Sequence, residues 1–252
     1  YNHAKFLKQR IDSVLNQTFQ DFELIILDDC STDNSKEIIE SYRYHPKVRH
    51  IVYNKENSGS TFKQWEKGIS LAKGEYIWLA ESDDWAHETF LTSLIPKLLS
   101  NTKIGIVYCD SLEVNSNGIA IGRWSRWQQH FTKNIWTNSF TAQGKDLNQN
   151  YHSLYNVIPN ASSSIFKKKL YTKSIFKDKI RSLRYVGDWY TWFSIFEEAD
   201  VYYHHETLNY FRCHSNTTRS IYDGSLEKVL EYYNAIKTFR KFNMVNYKKE
   251  EL

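Results

Sequence analysis

The spacing of apolar residues switches regularly over the first hundred positions. From Ala4 to Leu15, Phe6, Leu7, Ile11, Val14 and Leu15 recur every three or four residues, the stripe of an amphipathic helix. Phe22 to Leu27 is instead a near-continuous apolar run of strand length, and Ser35 to Tyr42 returns to a helical pattern. Val48 to Tyr53 reads as a second strand, Thr61 to Ala72 as a helix and Tyr76 to Ala80 as a third strand. His87 to Leu99 follows as a helix that Pro96 is expected to kink, and Ile104 to Cys109 as a further strand. Short apolar runs between turn signals are typical of strands buried on both faces. Their alternation with helices predicts βαβ units, hence an α/β fold with a mainly parallel sheet flanked by helices.

The pattern weakens after that. Glu113 to Tyr155 has little periodicity but many aromatics, among them Trp124, Trp127, Phe131, Trp136 and Phe140. It reads either as an insertion beside a site or as ordinary irregular packing. Asn160 to Phe166 resembles a short strand, and Tyr185 to Trp192 leads into a helix through Phe196. Val201 to His205 and Thr207 to Arg212 are expected as a late strand pair. Ser225 to Phe242 is an amphipathic helix with Leu226, Val229, Leu230, Tyr233, Ile236 and Phe239 on one face. That face is expected to pack on the core, with contact to a membrane surface as the lesser option.

Two of the strand-like runs lead into an acidic pair: Asp28-Asp29 after the first, and Asp83-Asp84, behind Glu81-Ser82, after Tyr76 to Ala80. Adjacent carboxylates repel and lose hydration when buried, so they sit together comfortably only in water or beside a cation. At the carboxyl ends of parallel strands they would share the edge where open α/β sheets bind ligands. Oxygen ligands of this kind suit a hard ion such as Mg²⁺ or Mn²⁺ that also touches phosphates. The plainer alternative is that they start the helices that follow.

Composition narrows the field. The 252 residues carry a net charge of +4, without the clustered basic excess of a nucleic-acid binder. That balance fits phosphorylated substrates or an anionic membrane surface. The 18 Tyr, 14 Phe and 8 Trp are enough to build a core and to line a sugar or base site. Cys30, Cys109 and Cys213 are too few and too scattered for a disulfide framework or a metal motif, which favours a reducing compartment. No apolar run is long enough to span a bilayer.

Several stretches together resemble one family. The chain is similar, from Tyr1 to about Ser220, to the family-two glycosyltransferases, inverting enzymes of the GT-A fold. Tyr1-Asn2 looks like the end of that family's first motif. Phe22 to Ser35, FELIILDDCSTDNS, is close to its second-strand motif, with Cys30 where Gly is usual. Asn57-Ser58-Gly59 matches the motif before the third helix. Gly74 to Asp84 is similar to the segment that ends in a metal-binding Asp-x-Asp. Gly187-Asp188-Trp189 looks like the motif of the catalytic base, and Arg212-Cys213-His214 through Ser220 resembles a late Arg-x-His motif. Three departures stand out: Glu81 for the usual Asp, Gly187 for the usual Glu, and Trp65 where Asn is frequent.

The resemblance implies a GT-A, Rossmann-like domain. Residues 1–110 would form its nucleotide-sugar half, residues 111–220 its acceptor and catalytic half, and residues 221–252 a helical extension. The natural polypeptide is expected to be longer, with a central strand upstream. Tyr1, Asp28, Asp29, Asp83 and Arg212 would contact the nucleotide, Arg212 joined by Arg219 at the diphosphate. Asp84 and His214 would hold a divalent cation, Mn or Mg. Asp188 would be the general base, and Trp189 would stack on the acceptor. The implied reaction moves a sugar from a nucleoside-diphosphate sugar, a UDP-sugar foremost, to a saccharide or lipid-linked acceptor in bacterial cell-surface polysaccharide biosynthesis. The setting would be cytoplasmic or the inner face of the cytoplasmic membrane, with no nucleic-acid partner. A catalytically inactive sugar-nucleotide-binding module and a nucleotidyltransferase are the alternatives.

Overall fold

The computed structural model describes residues 1–131, 133–214 and 224–250; Arg219 and Ser220 lie outside them. The first half runs α1 (Ala4–Leu15), β1 (Leu24–Asp28), α2 (Ser35–Glu40), β2 (Val48–Tyr53), α3 (Thr61–Leu71), β3 (Tyr76–Trp78), β4 (Trp85–Ala86), α4 (Phe90–Ser100) and β5 (Ile104–Val114). The second half runs β6 (Ala120–Arg123), β7 (Phe140–Ala142), α5 (Gly144–Leu147), β8 (Ser164–Lys167), α6 (Lys168–Thr172), α7 (Lys177–Ser182), α8 (Gly187–Glu198), β9 (Asp200–Arg212) and α9 (Leu226–Glu250).

β1 and β2 pair in parallel as a separate two-stranded sheet. The larger sheet has the order β3-β8-β5-β9-β4, with β6 added to β5 and β7 to β9. The α/β class is the expected one, but the hydrogen bonding is more mixed than a mainly parallel sheet. Within the larger sheet β5 and β9 are parallel, while β8 runs antiparallel to both β3 and β5. The expected late strand pair is one strand. Its polar centre, His205-Glu206, is exposed, and register shifts opposite Cys109 to Ser111 let β9 continue past it.

Two aromatic and aliphatic layers cover the large sheet. On one side α8 buries Trp189, Trp192, Phe193 and Phe196 against Tyr108 and Phe166. On the other, Phe90, Leu94 and Leu98 of α4 pack on Val107, Cys109 and Ile165. A third cluster, Leu7, Ile11, Ile26 and Ile39, ties α1 and α2 to β1. The aromatic-rich stretch after Glu113 is partly built into this core, since Trp136 is buried and its Nε1–H donates to the Tyr108 hydroxyl at 2.7 Å.

α9 packs on the core as expected, but only through the later part of the predicted face, where Ile236 and Phe239 reach it. Ala235 and Phe239 are fully buried, and the Phe239 ring stacks on Phe193 at 4.2 Å. Burying one such ring stabilises by about 2–3 kcal/mol. Leu226, Val229, Leu230 and Tyr233 remain exposed. The aromatic surface offered by α8 sets the helix's rotation.

Candidate functional site

One turn of α3 gathers the residues that matter. Phe62, Trp65 and Ile69 are spaced three and four apart, so they share the inward face. From that turn three contacts radiate. Gln64 Nε2 donates to Asp29 Oδ1 at 2.9 Å. Trp65 Nε1 donates to Glu81 Oε1 at 2.8 Å. Phe62 lies against Gly187, where a Cβ would stand 2.6 Å from the ring carbons. The packing therefore leaves no room for a glutamate at position 187 with Phe62 in place.

The loop after β1 is a hydrogen-bonded clamp. Asp29 is buried, and its oxygens accept from the Ser58 N–H at 3.0 and 3.1 Å, the Ser58 hydroxyl at 2.8 Å and Asn54 Nδ2 at 2.5 Å, besides Gln64. Asp28 Oδ2 accepts from the Ser31 N–H at 3.0 Å. Cys30 between them has φ 65°, the left-handed region that explains why glycine is usual there. Tyr1 is exposed beside this loop, and its neighbour Asn2 donates its N–H to Ser31 Oγ at 3.0 Å.

The second acidic pair sits in a denser setting. Asp84 is 2% exposed; its oxygens accept from the Arg212 N–H at 2.9 Å and Asn160 Nδ2 at 2.6 Å. Burial and the charge of Asp83 push its carboxyl up, and the same two causes push Glu81 up to about 7. For Asp83 burial acts in the raising direction, but the hydrogen bond from His214 and the charges of His3 and His214 outweigh it, and the carboxyl is held low. His214 Nε2 is 3.1 Å from Asp83 Oδ2. Beneath them Arg10 is 2% exposed with its guanidinium 5.1 Å from the Trp78 ring. Its nitrogens have no hydrogen-bond partner among the described residues, and burial lowers it to about 10 against the pull of Asp84, Glu81 and Asp83.

Arg212 is held within this cluster. Its guanidinium lies between the rings of Phe6 and Trp85, at 4.4 and 4.6 Å. Nε donates to the Asp83 carbonyl at 2.8 Å, one terminal nitrogen to Gln9 Oε1 at 2.7 Å, and the other to the carbonyls of Asn115 and Ser116 at 3.3 Å. Every guanidinium nitrogen thus has a protein acceptor, so in this arrangement Arg212 braces the Asp83-Asp84 turn.

Three carboxyls crowd together here, burial and mutual repulsion keep protons on Glu81 and Asp84, and a dication would favour their ionised forms. Among the described residues, His3, Asp83 and His214 have ligand atoms within 4.8 Å of one another. Asp84 lies outside that set, its oxygens turned to Arg212 and Asn160. The donor chemistry fits a divalent ion through Asp83 and the imidazoles.

Asp188 opens α8, exposed enough to face a cavity of about 440 Å³ lined also by Glu113, Trp124, Arg126, Tyr155, Asn156 and Tyr232. Asn156 Nδ2 donates to Asp188 Oδ2 at 2.8 Å. Four residues on, Asn160 grips Asp84, so a stretch that spans at most about 14 Å connects the two acids. Trp189, at 2% exposure, is a core residue; its Nε1–H donates to the His152 carbonyl at 2.6 Å and its ring packs on Phe239 at 5.4 Å. Buried His152 is driven down to about 3 by desolvation, so it is a neutral packing partner.

The sequence pattern did not single out His3, Arg10, Asn156 or Asn160. Arg10 did leave a signal: it falls within the apolar stripe of α1, four residues after Phe6 and four before Val14.

The architecture matches solved structures. The 1–349 portion of Staphylococcus aureus TarS in complex with UDP-GlcNAc superposes with a TM-score of 0.68 over 95% of this chain and 64% of that one, at 20% identity. The same portion in complex with UDP gives 0.65. The fold is therefore that of the GT-A glycosyltransferases. The model of the family described as Glycosyl transferase family 2 matches residues 1–166, and the chain belongs to that family. Among curated relatives, glycosyltransferase GlyG of Streptococcus pneumoniae is 41% identical over 95 residues, 37% of this chain and 31% of that protein. Chondroitin synthase of Pasteurella multocida is 32% identical over 138 residues, 54% of this chain and 14% of that protein. The poly(ribitol-phosphate) beta-N-acetylglucosaminyltransferase TarP of Staphylococcus aureus is 38% identical over 96 residues, 37% of this chain and 29% of that protein. The match thus spans less than a third of each of these relatives. Among the described residues no helix is long and apolar enough to cross a membrane.

Proposed function

We propose that this chain transfers a sugar from a nucleoside-diphosphate sugar, a UDP-sugar foremost, to a saccharide or lipid-linked acceptor, inverting the anomeric carbon in a single displacement. Family membership supports sugar transfer, and the TarS structures, solved with UDP and UDP-GlcNAc, support the donor class. The observation that carries the reading is the turn of α3, which touches the Asp29 loop, the Glu81–Asp84 turn and the start of α8 at once. In this reading residues 1–110 form the donor side and residues 111–220 the acceptor side of one domain.

Asp188 is the general base. Asn156 fixes one carboxylate oxygen, and the Trp189 N–H lies 2.8 Å from the other, so the group is held rigidly at the cavity wall. It takes the proton of an acceptor hydroxyl as that oxygen bonds to the anomeric carbon, while the bond to the diphosphate breaks with its electron pair. Asp28 is the remaining candidate for the ribose and base, since Asp29 is engaged by its own loop. A cation held by Asp83, His214 and His3 would supply positive charge for the departing diphosphate. Relatives that include a chondroitin synthase and a poly(ribitol-phosphate) beta-N-acetylglucosaminyltransferase support a place in polysaccharide assembly.

Asp188→Asn is expected to lower turnover by roughly 10²- to 10⁴-fold while donor binding persists. Transfer to an acceptor, read by chromatography, and the anomeric configuration of the product, read by NMR, test the two halves of the claim. Unchanged turnover would remove Asp188 as the base. A wild-type protein that binds donor but never consumes it would be the inactive binding module.

A further inference from the structure

We propose that Glu231 of α9 is a positioning residue for Asp188, so that the C-terminal helix is a working part of the transfer site and not an appendage to it. This role rests on Asp188 being the general base, as proposed above. What is new is the route by which α9 reaches that carboxylate.

The loop that enters α8 is fixed from outside. A helix starts with backbone N–H groups that have no partner within it, and the side chain at the N-cap commonly accepts one of them. Val186 stands at that position and its side chain makes no such bond. The N–H groups leading into the helix turn to α9 instead. Glu231 Oε1 accepts from the Arg184 N–H at 2.9 Å, and Oε2 accepts from the N–H groups of Tyr185 at 2.9 Å and Val186 at 3.3 Å. Three successive N–H groups converging on one carboxylate form a concavity suited to an anion. The negative charge also lies at the positive end of the α8 dipole.

Asp188 follows two residues later. α3 adds a second constraint, because Gly187 lies against the Phe62 ring with no room for a Cβ. Glu231 and Phe62 together set where Asp188 leaves the backbone, and Asn156 then fixes its carboxylate at 2.8 Å. The same turn of α9 also borders the cavity: Lys228 and Tyr232, on either side of Glu231 in sequence, line it with Asp188. Two turns further along, Phe239 stacks on Phe193 of α8 and anchors the helix. α9 thus holds α8 by its apolar end and the base-bearing loop by its acidic one.

The test measures steady-state transfer by the full chain, with a UDP-sugar that the wild-type protein consumes and a saccharide acceptor. Glu231→Ala should lower kcat by about 10- to 100-fold, the cost of a base displaced by about an ångström. Donor KM should stay within about two-fold, since the donor side lies elsewhere. Hydrogen exchange at the amides of residues 184–186 should quicken. Residues that act as a unit are not additive, so Asp188→Asn combined with Glu231→Ala should be no slower than Asp188→Asn alone. Glu231→Gln, which keeps one acceptor oxygen, should fall between Glu231→Ala and wild type and guards against a variant that fails to fold. Thr238→Val removes the α9 hydroxyl that meets Tyr190 Oη at 3.2 Å and should leave kcat within about two-fold, which separates positioning from loosened docking. If Asp188→Asn loses turnover while both Glu231 variants keep wild-type kcat, this inference is overturned and the base stands. Full additivity in the double variant, or an equal loss of kcat in Thr238→Val, overturns it as well. Full turnover in Asp188→Asn, or a wild-type protein that consumes no donor, removes the proposed function and this role with it.

Discussion

Twice the chain follows a strand with Asp-Asp, and the two occurrences are accommodated by opposite means. Asp29 is surrounded by neutral donors: a backbone N–H, a hydroxyl and two amides. Such groups stabilise a carboxylate through aligned dipoles and need no counter-ion. Asp83 and Asp84 sit instead among Glu81, two arginines and two histidines, where whole charges are balanced against each other and Glu81 is driven up to about 7. The first arrangement holds a loop in shape. The second keeps protons on buried carboxyls, so its ionisation is tied to any positive charge that enters.

The largest effect that separates the two is structural. Asp29→Ala strands the Ser58 N–H and the amides of Asn54 and Gln64, and should cost about 3 kcal/mol or more in urea unfolding. A loss below about 1 kcal/mol would show that the clamp is idle. Asp29→Asn, which keeps one acceptor, should fall between.

The next concerns pH. Because the folded state holds the Glu81 proton up to about 7, against an ordinary 4.5, it binds more protons than the unfolded chain in that window. Stability in metal-free buffer should therefore fall as pH rises from about 5 to 7.5, by on the order of 2 kcal/mol at 1.36 kcal/mol per unit after allowing for residual solvent contact. Glu81→Gln keeps an acceptor for Trp65 and should make that part of the profile shallower, the remaining slope coming from Asp84. A profile as steep as wild type would place the proton elsewhere.

Much of this was legible in the chain, and the limits are physical. Periodicity located α1, α3 and α4 because each buries one face, and the unbroken apolar run marked β5 because it is buried on both. The acidic pairs announced a site through their cost of burial. What periodicity could not show is which carboxylate meets which partner. Asp84 and Asp83 are neighbours, yet one turns to Asn160 and the other to His214, residues far away in sequence. Likewise Trp189 looked like a platform for a sugar, but the aromatic surface of α9 buries it. On α9 the spacing could not show where docking begins, because the exposed Leu226, Val229, Leu230 and Tyr233 fit the same stripe as Ile236 and Phe239, which reach the core.

The smallest effect tests the first loop's geometry. Cys30 at φ 65° carries a left-handed strain of about 1–2 kcal/mol that glycine lacks, offset in part by glycine's greater freedom when unfolded. Cys30→Gly should raise stability by about 0.5–1 kcal/mol. A destabilised variant would mean that the thiol's contact with the Lys55 carbonyl outweighs the strain.

The three departures from the family pattern, at positions 65, 81 and 187, all converge on α3: Trp65 is bonded to Glu81, and Phe62 is wedged against Gly187. They are thus two matched exchanges across one helix surface, not three independent losses. A glutamate placed at position 187 alone would meet the Phe62 ring, so a carboxylate there needs position 62 trimmed, and an asparagine at position 65 would take from Glu81 its indole donor.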